Sequence, residues 1–300
     1  MPARMIDAHH HLYDLEESPY PWLQLQDPPQ IFVGDLRPVM KTYGIEDYLA
    51  DCRPCGVQKS VHVEVGWDPA DPVGETRWLQ AVADRHGFPH GIVASAHLHE
   101  SGAADVLERH CESANMRGVR QMLLSHPDPL YDLAERADLL TDPTWRAGFA
   151  LLERHGLSFD LQVFPHQMGD AADLAASFPG TQIVLDHAGL PIERERGGLG
   201  RWRAGMRGLA AHPNVAVKIS GLGQVDHHWT LETIRPIVAE TLDMFGVERC
   251  MFASNFPIDG LYSDYATVIS SFETIVGELG LGEAERDALF YANAERVYRL

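Results

Sequence analysis

Met5-Ile6-Asp7-Ala8-His9-His10-His11 runs from a short apolar segment straight into three histidines. In a strand, side chains alternate between faces, so His9 and His11 share one side and His10 takes the other. Two imidazoles two residues apart on one face can grip a metal ion or an anionic substrate. Further histidines end other apolar runs along the chain, so the meaning of this cluster depends on what the other runs deliver.

After residue 56 one pattern repeats. The apolar runs Lys59 to Val65, Gly91 to Leu98, Met116 to Leu123, Ser158 to Val163, Gln182 to Leu185, Val215 to Ile219 and Cys250 to Ala253 read as strands. Segments of helical spacing separate them: Glu75 to His86, Ala104 to Ala114, Pro143 to His155, Met168 to Ser177, Leu199 to His212, Leu231 to Phe245 and Tyr265 to Leu279. Tyr43 to Cys55 precedes them as a helix, and Glu283 to Tyr298 closes the chain. Gly56, Gly87, Gly156, Gly246 and Gly280 each stand just past a helical segment, where a C′ glycine is expected. Continuously apolar strands alternating with helices imply a parallel sheet buried on both faces. Eight such units in 300 residues predict an α/β fold, a single-domain (β/α)8 TIM barrel over residues 1–300. No Gly-rich dinucleotide fingerprint or P-loop follows any strand, which weighs against a doubly wound sheet.

Composition narrows the function. Hydrophobic residues make up 45% of the chain, enough for a large core. The net charge of −19 argues against nucleic acid or an anionic membrane as partner. No apolar run is long enough to span a bilayer and no secretory leader is readable, so a cytoplasmic location is the expectation. Cys52-Arg53-Pro54-Cys55 is a lone CxxC without a second pair, and reads as a helix end stopped by Pro54 and Gly56. The stretch at about 13–39, rich in Pro and aromatics, has neither period. A loop of that length is usually a lid or a pocket wall.

In a barrel of this kind the active site lies at the carboxyl ends of the strands. Those ends here carry His9 and His11, then His62 and Glu64, His97 and His99, Arg120, His166, Asp186 and His187, and Asn255 to Asp259. Imidazoles converging from several strands need partners. Arg120, inward in a strongly acidic protein, suggests a carboxylate on the substrate, with a rim salt bridge as the alternative. His228 and Trp229, after the seventh strand, are candidates for the pocket mouth.

The ordered set of motifs resembles the amidohydrolase superfamily, in the branch of 2-pyrone-4,6-dicarboxylate lactonase and the fuconate and rhamnonate lactonases. The matching stretches are Ile6 to His11, Met116 to Gln121, Phe159 to Gln167, Val184 to Gly189, Val217 to Leu222 and Met251 to Pro257. The resemblance implies hydrolysis of a lactone or similar cyclic ester of a small substrate; Arg120 points to an anionic one, and a homo-oligomer is compatible with the sequence. It implies His9, His11 and His166 as ligands of a divalent metal, Zn²⁺ suiting nitrogen donors best. It implies His187 as the group that orients or polarises the substrate. Asn255 stands where the superfamily places an Asp, so metal-independent hydrolysis is a second expectation beside the metal-dependent one. Asp259, Glu64 or a histidine would then supply the base. Two other outcomes stay open: a mononuclear-metal decarboxylase, told apart by gas release without ring opening, and a non-catalytic binding barrel, told apart by tight binding without turnover.

Overall fold

The computed structural model describes residues 1–300. Its strands are β1 (Met5–His10), β2 (Val57–Val63), β3 (Gly91–Ser95), β4 (Met116–Arg120), β5 (Ser158–Leu161), β6 (Ile183–Leu185), β7 (Val215–Ile219) and β8 (Cys250–Phe252). They form one sheet in sequence order, every neighbour parallel. The ring closes through a parallel bridge between His10 and Phe256. There the His11 N–H donates to the Phe256 carbonyl and the Asn255 N–H to the His9 carbonyl, each at 2.8 Å. The barrel read from the sequence is the fold.

Asp7 fastens that seam. Its buried carboxylate accepts from the Ser254 N–H (2.9 Å), Ser254 Oγ (2.7 Å), Tyr48 OH (3.1 Å) and Tyr265 OH (2.9 Å). A buried carboxylate left without donors would be costly, and this one joins β1, the end of β8 and two helices at one point.

The helices are α1 (Ile45–Cys52), α2 (Gly74–His86), α3 (Ala103–His110), α4 (Pro143–Phe149), α5 (Leu151–His155), α6 (Met168–Ser177), α7 (Arg196–Ala210), α8 (Leu231–Phe245), α9 (Tyr265–Glu278), α10 (Glu283–Asp287) and α11 (Asn293–Tyr298). Gly87 and Gly156 end α2 and α5 with φ of 76° and 61°, which only glycine adopts without strain. The expected helix 143–155 divides at Ala150, and the closing helix carries a π-turn over Ala288–Ala292. Helix α7 starts before the expected Leu199, because the Glu195 side chain caps it by accepting from the Gly198 N–H (2.6 Å).

Three apolar clusters result. The barrel interior holds small and branched residues, among them Ile6, Ala8, Val61, Val63, Val184 and Ala253, plugged from below by Val297 and Tyr298 of α11. The largest cluster lies between strands and helices. The third is Phe32, Val33, Leu36 and Val39 packed on Leu124, Phe164 and Leu190. It holds the segment 31–39 over the carboxyl end of the barrel. No helix is long and apolar enough to cross a membrane.

Candidate active site

Strand β1 sends His9 and His11 into the barrel mouth, and His10 outward, where its ring stacks on Tyr48 at 3.9 Å. The His9 ring centroid lies 5.0 Å from that of His11 and 4.6 Å from that of His187, which follows β6. The backbone at His187 is left-handed, with φ of 56°, as is Ala188 at 50°. Such geometry costs of order 1–3 kcal/mol per residue and persists only where the surroundings enforce it. It turns His187 back over the barrel axis.

Proton positions follow from the partners. His11 Nδ1 lies 2.8 Å from the Val63 carbonyl, which only accepts, so Nδ1 carries the proton. Burial, then the charge of Arg120, pushes the His11 pKa down to about 3, so the ring is neutral near pH 7 and its Nε2 is a lone pair. That nitrogen faces Asn255 Oδ1 at 3.3 Å. His187 Nδ1 meets Ser220 Oγ at 3.0 Å, and burial holds this ring neutral too, its pKa pushed down to about 3. Asn255 has φ of 57°, which an Asn tolerates better than most residues, and its side chain also reaches the Asp259 carboxylate.

Above these groups opens a cavity of about 410 Å³. Its polar end is His11, His187, Asn255, Glu64, Arg120, Gln162 and Gln224. Tyr13, Trp22, Pro29, Ile31, Phe32, Val33 and Leu36 form one wall, and Val65, Gly66, Met122, Leu133 and Ile258 complete the lining. Arg120 faces inward but meets a carboxylate of its own chain. Its Nε donates to Glu64 Oε1 (2.7 Å), one Nη to the Glu64 carbonyl (2.7 Å) and the other to Gln162 Oε1 (3.1 Å). The pair is buried on both sides.

Other expected residues lie apart from this cluster. His166 is exposed on a short 3-10 turn, its ring 5.5 Å from that of His126. The turn after β5 carries it outward, so it does not join His9 and His11 as a ligand. His228 is exposed beside a separate surface depression, and Trp229 packs near Leu222 and Val268 behind the loop after β7. Asp259 is buried beneath that loop, not on the cavity wall. Gly223 permits this, since a Cβ there would come within 2.9 Å of Asp259 Oδ1. Burial pushes the Asp259 pKa up to about 7.

Beneath His9 sits a group the sequence reading passed over. Lys218 Nζ, wholly buried in β7, lies 2.5 Å from Asp160 Oδ2, 3.3 Å from Asp186 Oδ1 and 3.3 Å from His9 Nδ1. Tyr298 OH donates to Asp160 (2.9 Å). The signal was present: Phe159-Asp160-Leu161 and Val217-Lys218-Ile219 each put one charge amid an apolar strand, where an unpaired charge is not tolerated.

The donors suit a divalent cation. The His11 Nε2 lone pair points at the Asn255 side-chain amide at 3.3 Å. His9 Nε2 is buried without a partner. His9, Asp186 and His187 each offer a ligand atom within 4.8 Å of the others'. His9 Nδ1 lies between Asp186 Oδ1 (3.4 Å) and Lys218 Nζ (3.3 Å), a carboxylate beside a histidine of the kind common around metals.

A family model described as amidohydrolase matches residues 6–300. The chain belongs to the amidohydrolase family. Among its relatives, protein y4mH of Sinorhizobium fredii is 46% identical, over 99% of this chain and 98% of that one. An L-fucono-1,5-lactonase of Burkholderia ambifaria is 30% identical, over 98% of this chain and 95% of its own length. Among solved structures, an amidohydrolase from Burkholderia multivorans with bound zinc is 28% identical, covers 99% of this chain and 100% of its own, and superimposes with a TM-score of 0.82. The family is one of hydrolytic enzymes that typically use a divalent metal.

Proposed function

We propose that this amidohydrolase opens the ring of a small lactone by attack of water. The observation that carries the reading is the cluster of three neutral histidines, His11 and His187 lining the cavity and His9 buried against both with its Nε2 unpartnered. The lactonase relative supports it. Water oxygen bonds to the acyl carbon and the ring C–O bond breaks. The departing alkoxide takes a proton, and the new carboxylic acid releases one at neutral pH.

His187 is the proposed base. Its Nδ1 is engaged by Ser220, so its other nitrogen is the one available to water in the cavity. His9 and His11, with Asn255 Oδ1, are the proposed holders of a divalent metal, Zn²⁺ first among candidates. Bound there, it would polarise the carbonyl and acidify water. The expectation that Arg120 receives a substrate carboxylate gives way here, because Glu64 already neutralises it.

The test is a panel of sugar, alkyl and pyrone lactones followed by proton release with a pH indicator. At least one should be opened, and His187→Asn should abolish the release. An inert panel, with and without added Zn²⁺ or Mn²⁺, would overturn the reading.

A further inference from the structure

We infer that the ring this cavity accepts is a neutral lactone carrying an apolar substituent, rather than a sugar or dicarboxylate lactone; this rests on the lactone reading above. The cavity has two unlike ends. The deep end holds the histidines and Asn255, enough to grip one acyl group. The outer wall is Trp22, Ile31, Phe32, Leu36, Met122 and Leu133. Its few polar atoms are already engaged. Trp22 Nε1 donates to the Val65 carbonyl, and Tyr13 OH to the Val39 carbonyl at 2.7 Å.

A polyhydroxylated ring would set several hydroxyls against this wall with nothing to receive them. Burying a hydroxyl without a hydrogen bond is unfavourable, whereas burying methylenes is favourable. The charged lining points the same way. Arg120 is held by the Glu64 carboxylate and carbonyl and by Gln162. A carboxylated substrate would have to displace Glu64 and leave a second carboxylate beside its own. What the polar end still offers a guest is the side chains of Gln162 and Gln224, both neutral amides. The wall is also preformed, because Phe32 and Leu36 are anchored on Leu124, Phe164 and Leu190. An apolar chain entering it needs no ordering of the loop.

The test compares kcat/KM for δ-valerolactone, δ-hexalactone, δ-octalactone and δ-decalactone with glucono-1,5-lactone and 2-pyrone-4,6-dicarboxylate. Each buried methylene should raise kcat/KM about fourfold until the wall is covered. δ-Decalactone should exceed the gluconolactone at least a hundredfold. In Leu133→Asn the gain per methylene should shrink. A sugar or dicarboxylate lactone turned over as well as δ-decalactone, or a gain unchanged in Leu133→Asn, would overturn the inference. If no lactone is opened at all, the lactone reading fails separately. Binding of the inert lactams 2-piperidinone and 6-pentyl-2-piperidinone, read by saturation-transfer NMR, then decides this point. Tighter binding of the pentyl compound supports an apolar guest, and equal or weaker binding overturns it.

Discussion

Lys218 Nζ stands 3.3 Å from His9 Nδ1, and both side chains are fully buried. The ammonium also faces Asp160 and Asp186, so one cation holds two carboxylates and a ring nitrogen beneath the candidate site. Lys218→Met fills the same space without the charge. It leaves two buried acids uncompensated, for which a loss of about 3–5 kcal/mol is expected. Urea unfolding would measure it, and a loss below 1 kcal/mol would show that the network does not need its cation.

His187→Asn keeps a polar side chain under the left-handed turn but cannot take a proton. If His187 is the base, kcat should fall about 10²–10⁴-fold with KM little changed. Steady-state kinetics on any accepted lactone separates the two. A variant that loses affinity but keeps kcat would make His187 a binding group only.

The barrel was legible because its evidence is redundant. Eight apolar runs, the intervening helical periods and the glycine stops all give the same answer, and boundaries moved by only a few residues. His9, His11, His187 and Asn255 were legible because each closes a strand. His166 was not placed, because five residues beyond Leu161 the chain has turned into a short 3-10 helix and alternation no longer says where a side chain points. Arg120 was seen, but its partner was not. Glu64 lies 56 positions away in sequence, and only the closed ring brings β2 and β4 to the same cavity. Lys218 was overlooked because it sits inside an apolar run rather than after it.

Zinc should follow the histidines. Purified protein loaded with Zn²⁺ and desalted should retain close to one equivalent, and His11→Ala should retain far less. Elemental analysis reads this without any substrate. Equal retention in the variant would remove His11 from the proposed ligands.

Glu64→Gln removes the charge that neutralises Arg120 while keeping an oxygen to accept its Nε–H. The guanidinium then becomes the one charge in the cavity wall. A carboxylated lactone should gain at least tenfold in kcat/KM relative to a neutral one, because the pocket now offers it a partner. Parallel kinetics on δ-octalactone and 2-pyrone-4,6-dicarboxylate measures the ratio. An unchanged ratio would mean that Glu64 is not what excludes anions.

Glu75 gives a pH prediction with a definite sign. Its carboxyl is buried, accepts from Tyr20 OH (3.1 Å) and the Val65 N–H (3.0 Å), and has no cation in contact. Burial, then the nearby charge of Glu64, raises its pKa from 4.5 to about 8. The folded protein therefore holds a proton that the unfolded chain releases above about pH 4.5. The stability from this group is complete below the unfolded value and is lost as pH rises through the folded one. Glu75→Gln keeps both hydrogen bonds and has nothing to ionise. The two proteins should be equally stable at pH 4, and the variant should gain up to about 1.4 kcal/mol on the wild type for each pH unit toward 8. Thermal melts in matched buffers across that range are the measurement. Parallel curves would mean that Glu75 is already ionised in the folded protein at neutral pH.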